Sequence, residues 1–232
     1  MINLVPSKKY LKDMSITLGD RLDYFSYGLS ISKIRDTDVC LSFSDELFEF
    51  VNDRYDWDKL HLGASTEGIT EVLEFGSAAH MTYKTNYYKV FESISDWPKF
   101  DNIPEHDISL PEKFVTWQFD AGQSYRQIDP ERREKIKKHY EDRGFEIITI
   151  GGQAEIEGLR KDISLTTYVM SKASYHVGAD SGFPHLAKLV LPMNKVHVYV
   201  NSYKVSYQAN ILEHAGCKIN YCEGFNYATS AF

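Results

Sequence analysis

The chain has 232 residues, of which 43% are hydrophobic and 25% are charged; these values are typical of a folded globular protein and exclude a disordered or fibrous one. Its formal net charge of -7 provides no overall field that would attract nucleic acid. The amino-terminal residues lack the apolar core of a signal peptide, and no later apolar run is long enough to span a bilayer, so we expect a cytoplasmic protein.

The cysteines indicate neither a disulfide framework nor a metal site. Cys40, Cys217 and Cys222 form an odd set without a C-x-x-C pair, so we expect free thiols. No spacing of His, Cys and carboxylate residues suggests a bound metal ion.

Strands alternate with helices along the first half, which indicates a parallel α/β sheet. Segment 97–111 is rich in proline and aspartate, as linkers are, and we place a lobe boundary there. The elements predicted before it are a strand at Ser15–Leu18 that ends in Gly19-Asp20, a helix at Leu22–Ile34, a strand at Asp38–Ser44, a helix at Asp45–Asn52, a strand at Lys59–Gly63, and helical stretches at Thr70–Phe75 and Ala78–Ile94.

The second half repeats the alternation. This organisation predicts an amino-terminal lobe at 1–111, a second lobe at 112–202, and a carboxyl-terminal helix and tail at 203–232. The elements predicted here are strands at Phe114–Phe119, Phe145–Ile150, Tyr175–Gly178, Lys195–Val200 and Lys218–Cys222, a polar loop at Asp120–Ile128, and helices at Pro130–Arg143, Ser164–Lys172, Phe183–Val190 and Tyr203–Ala215.

Asp180, Ser181 and Gly182 lie where a predicted buried strand meets the start of a helix. Free N–H groups and the positive end of the helix dipole favour an anion at such a place, and glycine lets that anion approach closely. A capped helix start, in which Asp180 or Ser181 accepts backbone N–H bonds, explains the same residues without a ligand.

Several motifs follow one another over roughly residues 113–200: Ile150-Gly151-Gly152, Met170-Ser171-Lys172-Ala173, and Ala179-Asp180-Ser181-Gly182-Phe183-Pro184-His185-Leu186-Ala187. In this order they resemble the carboxyl-terminal lobe of heptosyltransferase-type glycosyltransferases, although Phe183 stands where that family usually has proline. Gly19-Asp20 resembles the family's amino-terminal loop. The resemblance implies a GT-B-like α/β fold, in which two Rossmann-like lobes with mainly parallel sheets face each other across a cleft.

The resemblance also implies roles for individual residues. Asp20 is expected to be the catalytic base, and Asp23, one helical turn further on, is the substitute. No metal and no cofactor are implied, since the nucleotide-sugar is a co-substrate. The residues expected to bind this donor are Arg126, Gly151, Gly152, Asp180, Ser181, Gly182 and His185.

Each of these residues also has a structural explanation. Asp20 can be a surface carboxylate or a helix cap, and Arg126 a solvated partner of Asp129. His185 can pack under the loop, and a tight turn explains Gly151-Gly152.

Two further patterns have competing interpretations. The tyrosines Tyr83, Tyr87 and Tyr88 near His80 suit either an acceptor platform or a core. The basic run 132–138 suits either phosphate contacts or, with its interspersed glutamates, a solvated helix face.

The resemblance implies a metal-independent inverting glycosyltransferase, in which a hexosyl, heptosyl or pentosyl group passes from a nucleotide-sugar to an acceptor hydroxyl. A cell-surface saccharide is the expected acceptor, in the cytoplasm of a bacterium or a phage-infected cell. Two alternatives stay open: a phage enzyme that glycosylates hydroxymethylated DNA bases, and a non-catalytic sugar-nucleotide-binding module.

Overall fold

The computed structural model describes residues 1–6, 18–63, 67–75, 98–122, 124–201, 212–213 and 216–222. The chain divides into two compact units, Met1–Ile103 and Pro104–Phe232, and the division lies inside the linker-like segment 97–111. Each unit contains one parallel sheet, so the predicted α/β class with two mainly parallel sheets is confirmed.

The first unit contains a four-stranded sheet in the order β3-β2-β1-β4, with all neighbouring strands parallel. Its elements are β1 at Ile2–Pro6, α1 at Leu18–Arg35, β2 at Val39–Leu41, α2 at Glu46–Asn52, β3 at Leu60–Leu62 and β4 at Glu71–Phe75.

Helix α1 is the central helix of this unit, because most of its residues are buried. Gly28 lies so close to the sheet that a Cβ at this position would be 2.5 Å from Leu41 Cδ2. The helix begins at Leu18 and not at Leu22, so Gly19 and Asp20 lie in its first turn and not in a turn between strand and helix. The predicted strand Ser15–Leu18 is therefore wrong at Leu18, and residues 15–17 lie outside the described residues.

Two strands of this sheet differ from the sequence expectation. The first strand is Ile2–Pro6, where buried Ile2, Leu4 and Pro6 alternate with partly buried residues. The predicted helix Thr70–Phe75 is wrong, because Glu71–Phe75 pairs in parallel with β1 as strand β4. The predicted helix Ala78–Ile94 lies outside the described residues.

Asp45 fixes the start of α2 as its N-cap. Its carboxylate accepts hydrogen bonds from the N–H groups of Leu47 at 3.0 Å and Phe48 at 3.3 Å, which are otherwise unsatisfied at a helix amino terminus. The same carboxylate pairs with Arg21 of α1 at 2.7 Å. One side chain therefore caps one helix and ties it to the other.

The second unit contains a five-stranded sheet in the order β6-β5-β7-β8-β9, and every neighbouring pair is parallel. The predicted elements are found here, apart from the helix 203–215, of which only residues 212–213 are described. The elements are β5 at Phe114–Gln118, α3 at Pro130–Glu141, β6 at Glu146–Thr149, α4 at Gly158–Lys161, α5 at Ile163–Lys172, β7 at Tyr175–Ala179, α6 at Gly182–Val190, β8 at Val196–Val200 and β9 at Lys218–Tyr221.

The core of the second unit forms where α3 covers one face of the sheet. Ile136 and Tyr140 of the helix join a buried cluster with alternate residues of the strands, among them Trp117, Val177 and Tyr199. All three cysteines are buried thiols outside any disulfide, as predicted. Among the described residues, no helix has both the length and the apolar character that a membrane span requires.

Candidate functional site

Three neighbouring strands of the second sheet end in polar or glycine residues at one edge. Strand β5 ends at Gln118, β6 is followed by Gly151-Gly152, and β7 is followed by Asp180. Because β6, β5 and β7 are adjacent and parallel, their carboxyl ends lie side by side. Ligands of open α/β sheets bind outside this edge.

Ser181 is the N-cap of α6, which confirms the helix-cap interpretation of this residue and assigns the cap to Ser181 and not to Asp180. Its Oγ accepts a hydrogen bond from the N–H of Phe183 at 3.4 Å and donates one to Oε1 of Gln118 at 2.6 Å. Pro184, in the same turn, has no N–H. The cap therefore leaves the N–H of Gly182 at the positive end of the helix, as an anion site requires.

Gly151 and Gly152 let three chain segments approach one another. Gly151 has a φ of +79°, and a Cβ there would lie 3.0 Å from the ring of Phe183. A Cβ on Gly152 would lie 2.8 Å from Oδ2 of Asp120. A larger residue at Gly151 would press on Phe183 in a backbone conformation that disfavours a Cβ, so this glycine permits the close packing of α6 against the end of β6. At Gly152 the contact is with the far end of the exposed Asp120 side chain, which can turn away.

Arg126 faces Asp180 and not its neighbour Asp129. Arg126 lies in a 3₁₀ turn at Ser124–Arg126, and its Nε is 3.8 Å from Oδ2 of the buried Asp180. Asp129 instead caps α3 and pairs with Arg132 at 3.0 Å. The guanidinium therefore lies beside the start of α6, in an ion pair with Asp180.

Two of the polar side chains predicted to bind the donor are deeply buried. His185 is completely buried in α6, which favours the structural alternative for this histidine over direct ligand contact. Asp180 is only 1% exposed; a buried carboxylate requires compensation, and Arg126 contributes to it. The exposed or partly exposed groups at this edge are Asp120, Arg126, Gly152, Ser181 and Gly182.

Asp20 belongs to the first unit, in the first turn of α1. It is 9% exposed, whereas Asp23, the substitute base, is 1% exposed. A carboxylate in the first helical turn is stabilised by the helix dipole. Of the two, Asp20 is the more accessible to an acceptor.

A buried polar pair joins β5 and β7 inside the sheet. Oγ1 of Thr116 and Nδ1 of the fully buried His176 are 3.1 Å apart. Burial lowers the pKa of His176 to about 3, with a smaller contribution from His197, so the imidazole is neutral at physiological pH. Both side chains are buried, and His176, as the second residue of β7, lies toward the opposite edge of the sheet.

Sequence reasoning missed two residues of this edge, Gln118 and Phe183. Gln118 binds Ser181, and Phe183 covers Gly151. The signal available for Gln118 was its position as a polar residue at the end of an otherwise buried strand, since such a side chain requires a partner.

Other sequence-predicted candidates have different outcomes. His80, Tyr83, Tyr87 and Tyr88 lie outside the described residues. The basic run 132–138 forms a solvated face of α3 with i,i+3 and i,i+4 ion pairs, as the structural alternative predicted. In the described part of the chain, no group of three or more His, Cys, Asp or Glu residues is arranged to hold a metal ion.

By sequence, the chain matches no profile of a known protein family and no curated protein. Its three-dimensional structure resembles TibC, an iron-containing dodecameric glycosyltransferase from enterotoxigenic E. coli H10407, with a TM-score of 0.60 and 12% identity. This match covers 86% of the chain and 58% of TibC, so the chain spans little more than half the length of that protein. TibC in complex with ADP-D-β-D-heptose matches to the same extent.

A second neighbour is the E. coli ADP-heptose LPS heptosyltransferase II. It matches with a TM-score of 0.53 and 10% identity over 95% of this chain and 90% of its own length. Identities this low establish the fold alone. The chain therefore has the GT-B fold of heptosyltransferase-type glycosyltransferases, as its sequence motifs predicted.

Proposed function

We propose that this chain is a glycosyltransferase that binds a nucleotide-sugar donor at the carboxyl edge of its second sheet. One observation carries the proposal: the close packing of Gly151-Gly152, the capped start of α6 at Ser181, and Arg126 where three adjacent strands end. Backbone amides, a helix amino terminus and a guanidinium at one place are suited to a diphosphate.

The donor contacts follow from this geometry. The N–H of Gly182 and the positive end of α6 face the diphosphate, which carries more negative charge as it leaves and gains most from fixed dipoles. Arg126, held beside Asp180, adds a positive charge. The exposed carboxylate of Asp120 suits hydroxyl groups of the donor and not its phosphates, because like charges repel.

We assign Asp20 as the base of an inverting displacement. The acceptor hydroxyl gives its proton to the Asp20 carboxylate while its oxygen forms a bond to the anomeric carbon. The bond from that carbon to the diphosphate oxygen breaks, and the nucleoside diphosphate leaves with the electron pair. One bond forms and one breaks on opposite faces of the sugar, which inverts the anomeric configuration.

Donor binding is tested with a panel of sugar nucleotides and measurement of thermal stabilisation, since a ligand that binds the folded state raises the melting temperature. ADP-heptose is the first donor to try, because TibC has been solved with ADP-D-β-D-heptose. Arg126→Gln should weaken binding by about tenfold or more, while Arg126→Lys, which keeps the charge, should retain part of it. Arg132→Gln is the matched control, since Arg132 pairs with Asp129 outside the site.

Absence of stabilisation by every donor would overturn the proposal, as would equal binding by the Arg126→Gln and Arg132→Gln variants. Release of free nucleotide, or transfer to an acceptor, identifies an enzyme, whereas tight binding without either identifies the sugar-nucleotide-binding module.

A saccharide is the acceptor we propose, and DNA is the competing one. The net charge of -7 provides no general attraction for a polyanion. Transfer to an oligosaccharide that is insensitive to salt supports the saccharide, whereas binding to DNA that falls steeply with salt supports a DNA acceptor.

A further inference from the structure

A second pocket lies at the opposite edge of the same sheet, between the end of α3 and the residues that begin strands β6 to β9. Its volume is about 440 Å³, within the range of small-molecule sites. Strand β7, with five residues, separates it from the candidate donor site by about 15 Å at the usual rise per residue. The two sites are therefore distinct.

The charged side chains of this pocket are cationic. Arg143, Lys195 and Lys218 line it, and the described lining residues include no carboxylate. The acidic neighbour in the chain, Asp142, pairs instead with Lys138 at 3.0 Å. The pocket thus concentrates positive charge in a chain whose net charge is -7.

The pKa values of two histidines in the wall are lowered by burial and, to a smaller extent, by this charge. Nδ1 of His139 accepts a hydrogen bond from Arg143 at 2.7 Å, so its proton is on Nε2. Its pKa is lowered by burial, then by Arg143 and Lys218. Burial, with a smaller contribution from Lys218, lowers the pKa of His197 to about 4.

His197 is also fixed by hydrogen bonds. Its Nε2 donates to the carbonyl of Asn194 at 3.2 Å, so its Nδ1 accepts from the hydroxyl of Tyr140 at 2.5 Å. These two hydrogen bonds fix the orientation of the His197 ring in the wall of the pocket.

Aromatic rings form the apolar part of the wall. Phe145 and Tyr175 pack edge to face with centroids 5.6 Å apart, and Tyr175 lies 4.9 Å from the ring of His197. A fourth cation, the ammonium group of Lys113, lies 4.2 Å from the centre of the Phe145 ring. A planar ring can pack against such a wall while an anionic group reaches the cations.

We propose that this pocket binds a small organic phosphate, a phosphate ester carried on a planar ring. Three cations match a phosphate dianion better than they match a single carboxylate, and the guanidinium of Arg143 can form two parallel hydrogen bonds with it. The ring of the ligand packs against Tyr140, Phe145 and Tyr175. The pocket is thus a second ligand site of the chain. It lies at the edge where the strands begin, opposite the edge that we assign to the donor.

Phenyl phosphate is the probe, because it has the ring and the phosphate without a sugar or a base. Calorimetric titration should give saturable binding at least about tenfold tighter than that of inorganic phosphate or of phenol, and tenfold equals about 1.4 kcal/mol. Histidine ring signals in NMR locate the ligand. Those of His139 and His197 should shift, while that of His185, near the start of α6 at the other edge, should not.

Lys195→Gln/Lys218→Gln should weaken binding by about tenfold or more. Lys135→Gln/Lys161→Gln has the same change of charge in the same unit but at exposed positions that pair with Glu131 and Glu157, and it should bind like the wild type. The proposal is overturned if phenyl phosphate binds no better than inorganic phosphate, if both double variants bind alike, or if the His139 and His197 signals do not move.

Discussion

Oγ of Ser181 donates a hydrogen bond of 2.6 Å to Oε1 of Gln118 and thereby joins the start of α6 to the end of β5. Nε2 of the same amide donates to the carbonyl of Asp120, so Gln118 links the loop after β5 to the cap of α6. Gln118 and Ser181 are 63 positions apart in the chain. This link holds in place the edge that we assign to the donor.

Replacement of Ser181 by alanine should reduce the free energy of unfolding by about 1–2 kcal/mol, because a helix cap is lost and Oε1 of Gln118 loses its donor. Ser181→Thr keeps the hydroxyl and should lose less than half as much. Urea unfolding followed by circular dichroism measures both. Equal midpoints for the alanine variant and the wild type would contradict the structural role of this hydrogen bond.

Gly151→Ala should be clearly destabilising. Position 151 has a φ of +79°, and a residue with a Cβ adopts this backbone conformation at a cost of about 1–2 kcal/mol. In addition, the new methyl group would lie 3.0 Å from the ring of Phe183. Gly122→Ala is the control, because a Cβ there meets nothing within 4 Å. Adding Phe183→Leu to Gly151→Ala should restore only the part of the loss that comes from the ring contact.

The comparison is again made by urea unfolding. If Gly122→Ala and Gly151→Ala unfold at the same urea concentration, the backbone at Gly151 does not have the conformation described.

Asp20→Asn should reduce transfer by about 100-fold or more, because general-base catalysis contributes at least that factor, while donor binding is unchanged. Transfer is measured as product formed from the best donor of the panel, and donor binding by thermal shift. Asp23→Asn is the matched variant, buried in the same helix. Loss of transfer with Asp23→Asn and retention with Asp20→Asn would move the base to Asp23.

Stability should fall as the pH is lowered below about 6.5. The folded pKa of His197 is about 4, below its ordinary value near 6.5, so the unfolded chain binds a proton there more readily than the folded one. The stabilisation that the fold gains from a neutral His197 is complete above pH 6.5. It is lost at up to about 1.4 kcal/mol per pH unit as the pH falls toward 4.

Between pH 7 and pH 5.5, the free energy of unfolding of the His197→Gln variant should therefore fall by about 1 kcal/mol less than that of the wild type. Urea midpoints at both values test this. Between pH 7 and pH 8 the two chains should change equally, and an unaltered drop in the variant between pH 7 and pH 5.5 would show that His197 is not held neutral by the fold.

The sequence by itself determined the architecture of the second unit. Its strands and helices are marked by local signals, such as Pro130 at the first turn of α3 behind the cap Asp129. The polar turn at Asp180-Ser181-Gly182 likewise predicted that a helix starts at the end of a strand. These signals depend on neighbouring residues in the chain, which is why they can be read without a structure. The roles of the individual site residues stay predictions.

Only the tertiary structure decided the features that depend on distant partners. Glu71–Phe75 is a strand because Ile2–Pro6 offers it a parallel edge, and no local pattern distinguishes this segment from a helix. Arg126 faces Asp180 although Asp129 is nearer in sequence. The cationic pocket combines the end of one helix with the starts of four strands. Chain-distant groups meet there because the parallel crossovers bring them to one edge, and a linear pattern does not contain that information.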